Sequence, residues 1–180
     1  MKKIIVALVS FGMRSTEKIS RSLHRLQVDH KIVLLTETPD FEYTHVILSG
    51  SNKRITKDDY YMMPDWILFT DQPVLGIAYG FELIIKTLGG YISDLQTIDK
   101  GASFMTEIID NKHVTNLRWV NRADRIISLP INFFITGVNK HNQIIAGNDG
   151  TKWYGVQYHP EANKFKDISI FAKFLNDTNK

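Results

Sequence analysis

Four short runs of apolar, largely β-branched residues dominate the first half of the chain and restrict the folds open to it. They are KIIVALVS, HKIVLLT, THVILSG and PVLGIA, at residues 3–10, 30–36, 44–50 and 73–78. Apolar residues that follow one another without alternation are typical of strands buried on both faces, as in parallel sheets. Between the first two runs, Ile19, Leu23 and Leu26 recur at helical spacing. Because strand, helix and strand in succession form a right-handed crossover, the pattern predicts a parallel sheet.

The second half of the sequence has a different pattern. Residues 91–150 contain short β-rich stretches separated by Asn, Asp and Gly, which is typical of antiparallel pairs. Helices are expected over 57–71, with a break near Pro64, after the turn at 76–80, and over 166–177. The sequence therefore predicts an α/β fold: a mostly parallel open sheet flanked by helices, with a small antiparallel annex, in a single domain of residues 1–180.

Composition excludes several classes of function. The chain has 22 basic and 19 acidic residues, a formal net charge of +3, and no basic stripe, so nucleic acid binding has little support. Its apolar runs are all shorter than the roughly 20 residues needed to cross a membrane, and we expect a cytoplasmic protein without a membrane partner. The chain contains no cysteine, which excludes thiolate metal sites and a cysteine nucleophile.

No cofactor or metal is expected either. Five histidines lack the paired spacing of metal ligands and are predicted to lie at the surface or in caps: His24, His30, His45, His113 and His141.

Ligands of open parallel sheets bind beyond the carboxyl ends of the strands. Three predicted strands end in suitable residues: the loop 49–52, the turn 76–80, and the sequence His159-Pro160-Glu161. The turn has glycines two residues on either side of Ala78, the form in which a sharp strand-to-helix turn displays one side chain. The backbone N–H of Tyr79 would open the next helix, where negative charge is favoured. His159 and Glu161 have the spacing of a base and the carboxylate that orients it.

Four segments in order resemble the class I, triad-type glutamine amidotransferases, and most of all the glutaminase subunit or domain of GMP synthetase. VILSGSN resembles that family's oxyanion strand I-L-S-G-G-P, and PVLGIAYGFELIIKTLGG resembles P-V-L-G-I-C-Y-G-M-Q-L-x-A-x-x-L-G-G. LRWVNRADRIISLP resembles W-x-S-H-x-D-x-V-x-x-L-P, and YGVQYHPEA resembles Y-G-V-Q-F-H-P-E. The similarity extends from the first strand to the last helix, which implies the flavodoxin-like fold of that family.

The resemblance also implies roles for individual residues. In the family a cysteine attacks the glutamine amide, a histidine carries the proton, a glutamate orients the histidine, and ammonia passes to a synthetase partner. The cysteine position corresponds to Ala78, the base to His159 and its orienter to Glu161. The oxyanion donors would be backbone N–H groups of Tyr79 and of Gly50 or Ser51. A methyl group at position 78 cannot form a thioester.

Other departures from the family pattern fall in the same site. The glutamine that helps to hold the substrate corresponds to Glu82, and the Ser-His pair corresponds to Asn121 and Arg122. The second glycine and the proline of the oxyanion loop correspond to Ser51 and Asn52. A carboxylate in place of an amide replaces a donor and an acceptor by two acceptors. A direct pair between Arg122 and Glu82 is one arrangement that would close the pocket.

Three hypotheses follow. The chain is a natural pseudoenzyme that keeps a binding or regulatory role, toward a synthetase of the ATP-pyrophosphatase type, glutamine or another small ligand. Alternatively, it is an engineered Cys-to-Ala variant of an active glutaminase that would supply ammonia to such a synthetase. As a third alternative, it is a hydrolase in which His159 and Glu161 activate water. Changes at several positions of one site favour the first.

Overall fold

The computed structural model describes residues 3–57, 59–162 and 168–178. The strands in these ranges are β1 (Ile5–Ser10), β2 (Asp29–Leu34), β3 (His45–Leu48), β4 (Val74–Ile77), β5 (Tyr91–Ile109), β6 (Lys112–Ser128), β7 (Phe134–Asn139), β8 (Ile144–Asn148) and β9 (Trp153–Val156). The helices are α1 (Met13–Arg25), α2 (Asp65–Phe69), α3 (Tyr79–Thr87) and α4 (Ser169–Asp177). The described strands form a single sheet in the order β2-β1-β3-β4-β9-β8-β6-β5-β7.

The predicted parallel sheet is present. Strands β2, β1, β3, β4 and β9 are mutually parallel neighbours, and every residue of β3 and β4 is buried. One face of these strands packs on α1 and α4, and the opposite face packs on α2 and α3. Because both faces are covered, the strands are continuously apolar rather than alternating. The α/β fold class is therefore confirmed.

The antiparallel strands continue the same sheet. Strands β5 and β6 form a long hairpin, in which Phe104 lies opposite Leu117. The turn between the two strands contains Asp110 and Asn111, both at positive φ (49° and 60°), as the tight hairpin turns that match strand twist require. The predicted short stretches within 91–128 are thus parts of two long strands, because the extended chain pairs along nearly the whole hairpin.

Two predicted helices differ in extent from the observed ones. The expected helix over 57–71 is wrong in its first half, since α2 begins at Asp65; residue 58 lies outside the described residues. Pro64 precedes α2 in extended conformation, and a proline disfavours helical geometry in the residue before it. Helix α4 begins at Ser169, and residues 166–167 of the prediction lie outside the described ranges. Among the described helices, none is long and apolar enough to cross a membrane.

Candidate functional site

The carboxyl ends of β3, β4 and β9 meet at one edge of the sheet and open into a cavity of about 530 Å³. The residues predicted for the catalytic, oxyanion and substrate positions line this cavity: Gly50, Ser51, Ala78, Tyr79, Glu82, Asn121, Arg122, His159 and Glu161. The three strands are adjacent and parallel, so the loops that follow them lie side by side. The parallel topology therefore brings together residues more than 100 positions apart.

Ala78 occupies a strained turn between β4 and α3. Its backbone has φ 50° and ψ −111°, a conformation that costs a non-glycine residue about 1–3 kcal/mol. The turn is possible only because its flanking positions lack side chains. A Cβ at Gly76 would lie 2.5 Å from the backbone nitrogen of Phe81, and one at Gly80 would lie 2.5 Å from the carbonyl oxygen of Leu48. The Gly-x-x-x-Gly spacing thus has a steric cause.

His159 is held from two directions. Its backbone N–H donates to the carbonyl oxygen of Trp119 in β6, at 2.8 Å. Its Nδ1 lies 2.8 Å from Oε1 of Glu161, a side chain that is only 3% exposed. Burial by itself would lower the pKa of His159, but the Glu161 carboxylate and the backbone carbonyl of Asn121 outweigh it, and the pKa is raised. The pair has the geometry of a base and its orienter, with a base that gains its proton more readily than an ordinary histidine.

Ser15, near the start of α1, also belongs to this site and was missed in the sequence. Its Oγ donates to Oε1 of Glu161 at 2.9 Å and accepts the backbone N–H of Gly50 at 3.2 Å. The backbone N–H of Gly50 therefore already has an acceptor. Of the two alternatives Gly50 and Ser51, the N–H of Ser51 is the one left to donate to an oxyanion beside that of Tyr79. A serine in a helical segment carries no sequence signal for a partner 146 positions away.

Tyr79 contributes differently through its backbone and its side chain. Tyr79 is the first residue of α3, directly after Ala78, so its backbone N–H lies at the helix N-terminus, where the helix dipole favours negative charge. Its hydroxyl group accepts a hydrogen bond from the backbone N–H of Tyr61 at 2.7 Å. Burial raises the pKa of this hydroxyl to about 12, so the side chain is a structural hydrogen-bond acceptor and not an acid.

Glu82 lies one helical turn after Ala78, and its backbone N–H donates to the Ala78 carbonyl oxygen at 3.1 Å. Its side chain is 6% exposed, and Oε1 accepts a hydrogen bond from Nε2 of Gln157 at 3.0 Å. Burial is the main reason that the pKa of Glu82 rises to about 7; the Gln157 bond acts against this rise and the charge of Asp124 adds to it. Glu82 therefore changes its ionisation close to neutral pH.

The direct pair between Arg122 and Glu82, one arrangement considered from the sequence, does not form, because Gln157 lies between them. The guanidinium Nη1 of Arg122 donates to Oε1 of Gln157 at 2.8 Å, and Nε2 of Gln157 donates to Glu82. The other nitrogens of Arg122 bind Asp99, at 2.9–3.0 Å, and Gln143, at 2.6 Å. Gln157 was not identified in the sequence, although it stands two residues before His159, a spacing that places both on one face of an extended chain.

Asn121 and Arg122 point to different sides of β6. Arg122 is buried in the network just described, whereas Asn121 is exposed at the mouth of the cavity. Their separation follows from the alternation of side chains along a strand.

One of the histidines predicted to lie at the surface or in a cap is buried. His45 is only 1% exposed and lies between Thr44 and Thr178, so the prediction of a surface or cap position is wrong for it. Within the described residues, no group of three or more potential ligand side chains is arranged to hold a metal ion.

This chain is similar in sequence to a protein family and to curated proteins. The family model described as glutamine amidotransferase class-I matches residues 7–177. Among curated relatives, GMP synthase (glutamine-hydrolyzing) of Actinobacillus succinogenes is 27% identical over 94% of this chain and 36% of the relative. GMP synthase (glutamine-hydrolyzing) of Thermotoga maritima is 29% identical over 88% of this chain and 32% of the relative. The chain thus spans about a third of the length of these relatives.

Solved structures show the same fold at lower identity. A candidate GMP synthase subunit from Thermoplasma acidophilum superposes with a TM-score of 0.81 at 21% identity, covering 98% of this chain and 94% of that one. A PurLQS structure from Thermotoga maritima gives a TM-score of 0.76 at 15% identity, covering 98% and 99%. The family match extends over nearly the whole chain, and we conclude that this protein belongs to the class-I glutamine amidotransferase family.

Proposed function

We propose that this protein is a glutaminase-like domain that does not hydrolyse glutamine and acts by binding, as a regulatory counterpart of a glutaminase. The observation that carries the proposal is the side chain at the strained turn. Ala78 faces the cavity that contains His159 and Glu161, at the position where the family resemblance implies the nucleophile. Without a thiol the acyl-enzyme route has no first step.

The network behind the cavity supports natural divergence over an engineered Cys-to-Ala change. Glu82 and Arg122 both depart from the family pattern, and both bind Gln157, one on each end of its amide. The amide of Gln157 is thereby oriented to donate to a carboxylate and to accept from a guanidinium. Because both of these residues form hydrogen bonds with the same side chain, they indicate that the two positions changed together.

Hydrolysis by an activated water has weaker support. A general base works best unprotonated near the working pH, whereas the pKa of His159 is raised. The site would also have to lower the barrier to hydrolysis of an unactivated amide without a covalent intermediate. Few groups are available in the site to provide such a large stabilisation of the transition state.

A synthetase of the GMP synthase type is the proposed partner. The curated relatives are named as glutamine-hydrolysing GMP synthases, and this chain matches about a third of their length. A silent glutaminase-like domain that docks on such a synthetase would compete with an active glutaminase or modulate the synthetase. A tagged protein isolated from its native cells should retain a synthetase at near-stoichiometric amount; a preparation that contains no synthetase or amidotransferase would contradict the proposal.

The decisive test of the catalytic part is Ala78→Cys. We expect no glutamine hydrolysis in an ammonia-release assay, because Glu82, Arg122 and the loop at Ser51 still differ from the family pattern. Alkylation of the introduced thiol by iodoacetamide provides the control that position 78 is accessible and the site is folded. Steady turnover of glutamine by this single variant would show that only the nucleophile is missing, and would favour the engineered-variant hypothesis.

A further inference from the structure

We propose that the cavity binds an amino-acid-sized molecule whose inward end is a cationic nitrogen group, ammonium or guanidinium, held by the Glu82 carboxylate. This inference rests on the proposed function, since it concerns the ligand of a cavity that no longer processes a carboxamide. Three features of the cavity support it: the pairing of the charges around the floor, a second buried acceptor, and the charges at the mouth.

The charges around the floor of the cavity are paired, with Glu82 as the exception. Asp124 binds Arg54 at 2.7 Å, Arg122 binds Asp99 at 2.9 Å, and His159 binds Glu161 at 2.8 Å. In the described part of the chain, no Lys, Arg or His forms an ion pair with Glu82. Among the described residues, the side-chain hydrogen bond of its carboxyl group comes from the neutral amide of Gln157.

Arg122 is not free to neutralise Glu82. Each nitrogen of its guanidinium donates to Asp99, Gln157 or Gln143. Gln157 in turn uses Nε2 twice, toward Glu82 and toward the carbonyl oxygen of Asp124 at 3.1 Å. The protein therefore surrounds a buried carboxylate with groups that are already committed, and a buried charge without a counterion is costly. A ligand that supplies a cation would remove this cost.

Glu161, which also lines the cavity, has a second buried acceptor. Oε2 of Glu161 is buried, and among the described residues it has no hydrogen-bond partner. Its sister oxygen Oε1 is used by His159 and Ser15. Buried polar atoms are nearly always satisfied in native proteins, so this oxygen leaves Glu161 with an unused capacity to accept a hydrogen bond. A carboxamide offers one donor group, whereas ammonium and guanidinium groups offer only donors.

The mouth of the cavity has the opposite charge. Arg14, Lys18 and Lys100 are exposed, line the cavity, and form no ion pair within the described ranges. Cations at the mouth and carboxylates at the floor are complementary to a molecule with an anionic and a cationic end, such as a basic amino acid. The volume of about 530 Å³ is within the range of small-molecule sites.

The pH dependence of binding supplies an independent readout. The groups that face Glu82 are Asp124 and Arg122 from β6 and His159 beyond β9. Because the pKa of Glu82 is about 7, binding of a cationic group should strengthen as pH rises through neutrality and Glu82 ionises.

Titration calorimetry with L-arginine, L-lysine and L-glutamine tests the proposal on the chain with Ala78 in place. At about pH 8 we expect arginine or lysine to bind at least about tenfold more tightly than glutamine, as expected for a hydrogen-bonded charge pair. The two basic amino acids distinguish a guanidinium from an ammonium ligand. Glu82→Gln should reduce the affinity for the preferred basic amino acid by about tenfold or more. The matched control Glu42→Gln removes an exposed carboxylate near the opposite end of the strands and should leave it unchanged.

Three results would overturn the inference: glutamine binding as tightly as both basic amino acids, an unchanged preference in Glu82→Gln, or no heat from either basic amino acid at millimolar concentration. These outcomes are separate from the test of the proposed function. Glutamine turnover by Ala78→Cys refutes the proposed function, whereas the ligand preference is measured by binding alone.

Discussion

Replacing Glu82 by glutamine should stabilise the protein at alkaline pH and leave its stability unchanged at acid pH. The pKa of Glu82 rises from 4.5 to about 7 because the carboxyl group is buried. A group whose pKa is raised by folding contributes stability below its unfolded pKa, and this contribution is lost as pH rises through the folded pKa. At about 1.36 kcal/mol per pK unit, the ionised carboxylate costs about 3 kcal/mol above pH 7.

Glu82→Gln removes this cost and keeps the contact. The side-chain carbonyl of glutamine can accept the same hydrogen bond from Nε2 of Gln157 that Oε1 of Glu82 accepts now. We therefore expect the difference in unfolding free energy between variant and parent to be near zero below pH 4.5. It should grow between pH 4.5 and 7 and level off at about 3 kcal/mol.

Urea denaturation at a series of pH values measures this difference, because urea is uncharged and its slope reports any change in the surface exposed. Comparing variant with parent at each pH cancels the titration of other groups. Glu42→Gln, an exposed carboxylate, should change stability by less than about 0.5 kcal/mol throughout. A difference that does not vary with pH, or a variant less stable than the parent at pH 8, would refute the argument that Glu82 is a buried carboxylate without a counterion.

Three further predictions concern the fold and the site. Gly80→Ala should destabilise the protein by about 3 kcal/mol in urea denaturation, since the new Cβ would lie 2.5 Å from the Leu48 carbonyl oxygen; an unchanged midpoint would contradict the tight turn. Acidification from pH 6.5 to 4 should cost up to about 3 kcal/mol through His45, whose pKa is lowered by burial to about 4, because the unfolded chain takes up the proton first. The same titration of His45→Gln should lack this loss, and an identical acid profile would exclude His45 as its source. Ser15→Ala should cost about 1–2 kcal/mol in the same assay because it removes the donor to Glu161, and Ser15→Thr should restore most of it.

The resemblance to a known family was visible in the sequence because its motifs are local. The apolar runs and the His159-Pro160-Glu161 sequence are contiguous in the chain, and Gly76 is required by its near neighbour Phe81, although Gly80 is required by Leu48 on another strand. The long hairpin was underestimated because strand length depends on pairing with a partner, which short-range pattern does not contain.

The sequence by itself determined the parallel α/β fold and the sharp turn at Ala78, since these follow from burial patterns and backbone sterics, and the family resemblance implied most of the residues predicted for the site. Only the tertiary structure decided how those residues are partnered: Gln157 between Glu82 and Arg122, Ser15 on Glu161, and His45 in the interior. The physical reason is that hydrogen bonds and charge pairs form between side chains far apart in sequence, and their geometry exists only after the strands have been placed side by side.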